Sequence, residues 1–120
     1  MNRTLKFRGK VDGQWWYSTP DDESWAQFWA IADRETVGQF TGALDKHRKE
    51  IYKGDILEAK EYWGEQDYAE VVWNEQQLQW YLTRNGEPRE PLRSPFADGS
   101  MAFEIVGNVY ENPEMVRSKS

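Results

Sequence analysis

Apolar and polar residues alternate through Leu5, Phe7, Gly9 and Val11, with Lys6, Arg8 and Lys10 between them, until Asp12-Gly13 interrupts and Gln14-Trp15-Trp16-Tyr17 follows. An Asp-Gly pair accepts the positive φ angles of a tight turn, so this stretch predicts an N-terminal β-hairpin. Beyond Pro20-Asp21-Asp22-Glu23-Ser24 the period changes, and Trp25, Phe28, Trp29 and Ala32 fall at i, i+3, i+4 and i+7. That spacing predicts one short helix over residues 24 to 33, its first amides capped by Ser24 or an acidic neighbour. Aromatic rings one turn apart suit a helix that plugs an apolar opening in a sheet.

Val37 to Thr41 predicts a short extended piece broken at Gly42, followed by a polar stretch from Ala43 to Lys49. The chain resumes as Ile51-Tyr52, turns at Lys53-Gly54-Asp55 and continues as Ile56-Leu57-Glu58-Ala59, with Gly54 expected at an angle other residues avoid and Asp55 bonding nearby amides. Tyr68 to Trp73 and Leu78 to Thr83 predict a second hairpin in which Leu78, Trp80 and Leu82 face the core. From Asn85 to Ser100 the repeated prolines (Pro88, Pro91, Pro95) and the pairs Asn85-Gly86 and Asp98-Gly99 leave no regular element expected. A last strand from Ala102 to Val106 leads through Gly107-Asn108 into Val109-Tyr110.

A length of 120 residues fits one domain spanning the chain. Seven Trp, six Tyr and five Phe carry much of a modest apolar content, which points to a small aromatic core. Seven Trp are more than such a core hides, so some aromatic surface is expected to be covered by another subunit in a homo-oligomer. The formal charge of -6 repels phosphate on average and argues against non-specific nucleic-acid binding. The absence of cysteine removes disulfides, thiolate metal sites and cysteine nucleophiles. With no signal peptide legible at the N-terminus and nothing near the roughly 20 apolar residues of a membrane span, the expected location is cytoplasmic.

Three stretches carry a family resemblance: Leu5-Lys6-Phe7-Arg8, the run from Thr36 through Asp45-Lys46 to Ile56, and Glu104-Ile105-Val106-Gly107-Asn108-Val109-Tyr110 to Glu114. Together they resemble the YopX family of bacteriophage and prophage proteins. Where relatives carry an Asn-Gly turn this chain has His47-Arg48, and where they carry a Leu after Thr-Gly it has Ala43 followed by Leu44. The resemblance implies a β-rich fold and a phage or prophage origin, in the bacterial host cell; it implies no agreed activity and hands over no functional residues.

Catalytic chemistry finds little material. His47 is the only histidine and has no nucleophile beside it, so neither a Ser-His-Asp arrangement nor a zinc site is expected. Acidic runs at Asp21-Asp22-Glu23 and at Glu58, Glu61, Glu65 and Asp67 read as solvated surface, and no phosphate loop is present. We therefore expect no catalytic residue, no cofactor and no metal. The basic run Lys46-His47-Arg48-Lys49, with Tyr52 and Lys53 beside it, is the nucleic-acid candidate, because cations and a stacking ring suit a single strand. Arg89, Arg93 and Phe96 in the proline-rich stretch are the partner-binding candidates, since Arg and aromatic side chains dominate interface hot spots.

The expectation is a mainly β α+β domain: an N-terminal hairpin, one short helix, and a twisted antiparallel sheet curling into a small barrel-like core, with the strand after Gly54 and the last strand among its staves. Its expected function is that of a non-enzymatic phage accessory protein binding a host or phage protein. The alternative is a nucleic-acid-binding small barrel that uses the loop at residues 46 to 53.

Overall fold

Asp12 and Gly13 both take positive φ, 51° and 81°, which matches the right-handed twist of the strands they join. They connect β1 (Phe7–Val11) to β2 (Gln14–Ser18) in an unbroken antiparallel register from Phe7↔Ser18 to Val11↔Gln14. This hairpin opens a computed structural model that describes residues 5–58, 68–84, 87–92 and 103–116.

The helix α1 spans Trp25–Ile31, two residues shorter at its C-terminal end than the spacing predicts, because Ala32 is already extended and Asp33 begins the next strand. Ser24 does not cap with its side chain; it sits in the helical region, its hydroxyl lies 3.1 Å from that of Ser18, and its amide donates to Asp22 Oδ1 at 3.1 Å. Phe28 is wholly buried against the β1 face, where Gly9 leaves room for its ring. Burial of a phenyl group on this scale contributes roughly 2–3 kcal/mol. Phe7 meets Trp25 and Trp29 at 5.4 and 5.7 Å between ring centroids, so the helix is fastened to β1 through aromatic edges.

β3 (Asp33–Leu44) is far longer than the predicted piece from Val37 to Thr41: it runs through Gly42 and changes register against both neighbours. These irregularities bend the strand, so one half pairs with β1 and the other with β4 (Glu50–Tyr52). Arg48 takes φ of 65° in the intervening turn, which the buried carboxylate of Asp45 holds by accepting from the amides of His47 and Lys49. The first sheet therefore has the order β2-β1-β3-β4.

Gly54 adopts the expected left-handed angle, φ 91°, and a Cβ there would stand 2.8 Å from the Tyr110 ring. Asp55 does bond a nearby amide, accepting from Tyr52 N–H at 2.8 Å. The chain passes from this turn into β5 (Asp55–Glu58), then β6 (Tyr68–Asn74), β7 (Gln79–Arg84), β8 (Glu87–Pro91) and β9 (Glu104–Asn108). The second sheet has the order β8-β7-β6-β5-β9, all antiparallel, and the strand after Gly54 pairs with the last strand as expected. Ile51 from the first sheet joins Leu57, Ala69, Val71, Trp80 and Leu82 in the main core cluster. The result is the mainly β, curled half-barrel with one helix that the pattern predicts.

Two expectations need correction. Leu78 does not face the core: it sits at φ 55° in the β6–β7 turn and is 74% exposed, while Trp80 and Leu82 do point inward. The stretch after Asn85 does contain a regular element, β8, because Pro88 and Pro91 fall on a strand that is, among the described residues, at the edge of its sheet, where a missing N–H is tolerated. Residues 93–100 and the acidic positions Glu61, Glu65 and Asp67 lie outside the described residues.

Candidate functional site

Aromatic residues from both sheets and from α1 line an open cleft. Trp73 and Trp80 occupy directly paired positions on β6 and β7, with rings in edge contact at 5.2 Å between centroids. Phe7 from β1, Trp29 from α1, Gln39 from β3 and Lys53 from the β4–β5 turn also line it. The cleft has a volume of about 540 Å³, within the usual range for ligand sites of roughly 300–1,000 Å³. Gly38 makes it possible: β3 passes so close to the β4–β5 turn that a Cβ at residue 38 would lie 2.9 Å from the Lys53 carbonyl oxygen.

Trp73 is 40% exposed on this face, whereas Trp80 is nearly buried. Such a surface offers flat apolar contact from several rings. Lys53 also influences Glu70, whose carboxyl is pushed up by burial and drawn partly back by the Lys53 charge.

A second group of residues joins the sheets. The Arg8 side chain, in β1, donates to Asp55 Oδ1 in β5 at 2.6 Å, and both are almost fully buried. The guanidinium lies 4.2 Å from the Trp15 ring centroid and 4.9 Å from that of Tyr52. Burial raises the Asp55 carboxyl above its ordinary range, and the Arg8 charge and the Tyr52 amide pull it back. Arg8 Nε is the one buried side-chain nitrogen or oxygen without a hydrogen-bond partner among the described residues. This is an internal strut, closed over by Trp15, and it presents no group to an incoming substrate.

The nucleic-acid candidates are divided between the β3–β4 turn, which carries Lys46 to Lys49, and the segment from β4 into the β4–β5 turn, which carries Tyr52 and Lys53. Lys46 and His47 both reach Glu104, at 3.0 and 3.3 Å, and their hydrogen bonds hold that carboxyl below the usual range. Arg48 and Lys49 are exposed in the turn. Tyr52 is 2% exposed, its hydroxyl donates to Glu50 at 2.9 Å, and burial raises its pKa, so its ring is turned into the protein. Lys53 is exposed in the β4–β5 turn and is among the residues that line the aromatic cleft. Of the partner-binding candidates, Arg89 lies on the backbone of β8, while Arg93 and Phe96 fall outside the described residues. Among the described residues no group of three or more His, Asp or Glu gathers to hold a metal ion, and no helix is long and apolar enough to cross a membrane.

The cleft escaped the sequence reading because its rings belong to four separate elements. A signal was present: Trp73 continues the inward face of Ala69 and Val71 to the very end of its strand, immediately before the polar run Asn74-Glu75-Gln76-Gln77, where little chain is left to cover it.

These features define a two-sheet, half-barrel β domain with an aromatic cleft between its layers. The chain belongs to the YopX family, the family model described as YopX protein matching residues 1–117. No curated protein matches it.

Proposed function

We propose that this domain works without catalysis, as an accessory protein of a phage or prophage in the cytoplasm of its bacterial host, and that it binds a partner protein through the aromatic cleft. The observation that carries this reading is the set Phe7, Trp29, Trp73 and Trp80 lining one open cleft. Rings arranged in a groove accept extended, proline-containing segments, whose flat pyrrolidine faces stack on indoles at little conformational cost. Lys53 and Gln39 suit the carbonyl groups of such a segment. Arg89, Arg93 and Phe96 are proposed as a secondary contact.

Support for the nucleic-acid alternative is weaker, since Lys46 and His47 are engaged with Glu104 and Tyr52 is enclosed. The test is selection of random peptides on the purified domain, read out by quenching of tryptophan fluorescence. Enrichment of a proline-containing consensus that binds Trp73→Ser at least tenfold more weakly is expected. Failure to enrich any sequence, or equal binding by Trp73→Ser and the parent, overturns the cleft reading. The triple variant Arg89→Ala, Arg93→Ala, Phe96→Ala tests the secondary contact in the same assay.

A further inference from the structure

The strand β2 ends the first sheet, and among the described residues it has no neighbour on its outer side. Natural edge strands are guarded against pairing by charge, proline, bulges or shortness. The edge β8 follows that rule, with Pro88, Pro91 and three charged residues in five positions. β4 has only three residues, and β9 carries Glu104 and a register shift against β5. β2 has none of these devices: Gln14-Trp15-Trp16-Tyr17-Ser18 contains no charge and no proline, and its register with β1 is unbroken.

The turn geometry says which groups are unused. A two-residue turn at Asp12-Gly13 makes Val11 and Gln14 a hydrogen-bonded pair, and the antiparallel ladder then alternates. Gly9↔Trp16 and Phe7↔Ser18 are hydrogen-bonded pairs in turn, so Trp15 and Tyr17 direct their amides and carbonyls away from β1. Opposite Trp16 on β1 stands Gly9, which has no side chain to cover an indole, and Trp16 and Tyr17 are 37% and 48% exposed.

We propose that β2 is a dimerisation strand, pairing antiparallel with β2 of a second copy of this chain about a two-fold axis through Trp16. In that register Trp15 meets the second copy's Tyr17 and Tyr17 meets its Trp15, each pair exchanging both main-chain hydrogen bonds. The two Trp16 residues face each other at the non-hydrogen-bonded position, where strands approach most closely and aromatic pairs stabilise a sheet most. An isologous contact must be self-complementary. For a chain of charge -6 this uncharged strand lets two copies meet with no carboxylate opposed to another across the pair. The contact joins two four-stranded sheets into one continuous sheet and leaves the aromatic cleft to a different ligand.

The chain has no cysteine, so a disulfide formed by Trp16→Cys reports this contact alone. Facing Cα atoms at such a pair lie about 4.5 Å apart, inside the range of roughly 4.4–6.8 Å that a disulfide spans. The full chain is studied by sedimentation equilibrium from micromolar to millimolar concentration, and by oxidative cross-linking of Trp16→Cys beside Ile31→Cys, an exposed site on α1. The expected results are a mass rising from 14.2 kDa toward twice that value, its loss in Tyr17→Pro, and cross-linking at residue 16 at least tenfold faster than at residue 31. A mass that stays monomeric throughout, or cross-linking no faster at 16 than at 31, overturns the proposal. Should Tyr17→Pro fail to fold, the cysteine comparison decides.

Discussion

Replacing Arg8 with methionine keeps an unbranched apolar stem and removes the guanidinium with its charge, leaving the buried Asp55 with the Tyr52 amide as its remaining hydrogen-bond donor among the described residues. Because both partners of the pair are nearly inaccessible, solvent does not screen the loss, and breaking such a pair costs about 3–5 kcal/mol. Domains have total stabilities of roughly 5–15 kcal/mol, so the variant is expected to melt roughly 10–20 °C lower. Asp55→Asn strands the cation instead and is expected to lose a similar amount. The double variant should recover at least about 2 kcal/mol relative to the sum, because a matched pair of neutral groups has no stranded charge. The deficit also has a pH signature. Burial already raises Asp55 above the unfolded value, and removing Arg8 takes away the main opposing influence. The folded form then binds its proton more tightly than the unfolded chain, so stability of Arg8→Met rises as pH falls through the raised pKa. Urea unfolding of parent, both single variants and the double variant at pH 7 and pH 4 measures all of this. Single losses under about 1 kcal/mol that simply add, or a deficit equal at both pH values, would refute the reasoning.

Other consequences follow from the turns and ion pairs. Gly54→Ala places a side chain at φ 91° against the Tyr110 ring and is expected to lose about 2–4 kcal/mol in thermal or urea melts; a loss below about 0.5 kcal/mol contradicts the contact. Asp45→Ala removes the acceptor for the amides of His47, Lys49 and Ile105, at about 1–3 kcal/mol for each amide left unsatisfied; amide exchange at Lys49 and Ile105 should accelerate well ahead of exchange in β6 and β7. Lys10 and Asn108 hold the Glu111 carboxyl below its usual 4.5, so its contribution is present above that value and is lost as pH falls through the depressed pKa. Glu111→Gln should flatten this acid limb by no more than about 1 kcal/mol, because the pair is exposed; an unchanged limb would show that the pair does not form in solution.

The two hairpins and the helix are legible because each is specified by residues close together in the chain, by Asp12-Gly13, by the alternation of Tyr68 to Thr83, and by the spacing of Trp25, Phe28 and Trp29. β8 was hidden because its prolines disqualify it only as a central strand, and the pattern alone does not reveal which strand lies at an edge. The length of β3 was hidden for a similar reason: Gly42 reads as a break until two different partners are seen to claim the two halves of one bent strand. The cleft depends on packing between distant segments. Tyr52 seemed available beside the basic run, yet it faces inward because Ile51-Tyr52 and Asp55 form the seam between the sheets. Lys53, one residue further on, lines the aromatic cleft, a placement that the basic run by itself does not indicate.

The ties that complete the N-terminal hairpin have a consequence for synthesis. Lys10 pairs with Glu111, 101 positions later, and Trp15 packs on Tyr110. At translation rates of about 5–20 residues per second, β1 and β2 emerge roughly 5–20 s before these partners exist. For that interval Trp15, Trp16 and Tyr17 stand together without the late partners that cover them, so this segment waits longest for its cover, well before the sheet that encloses Arg8 has been made.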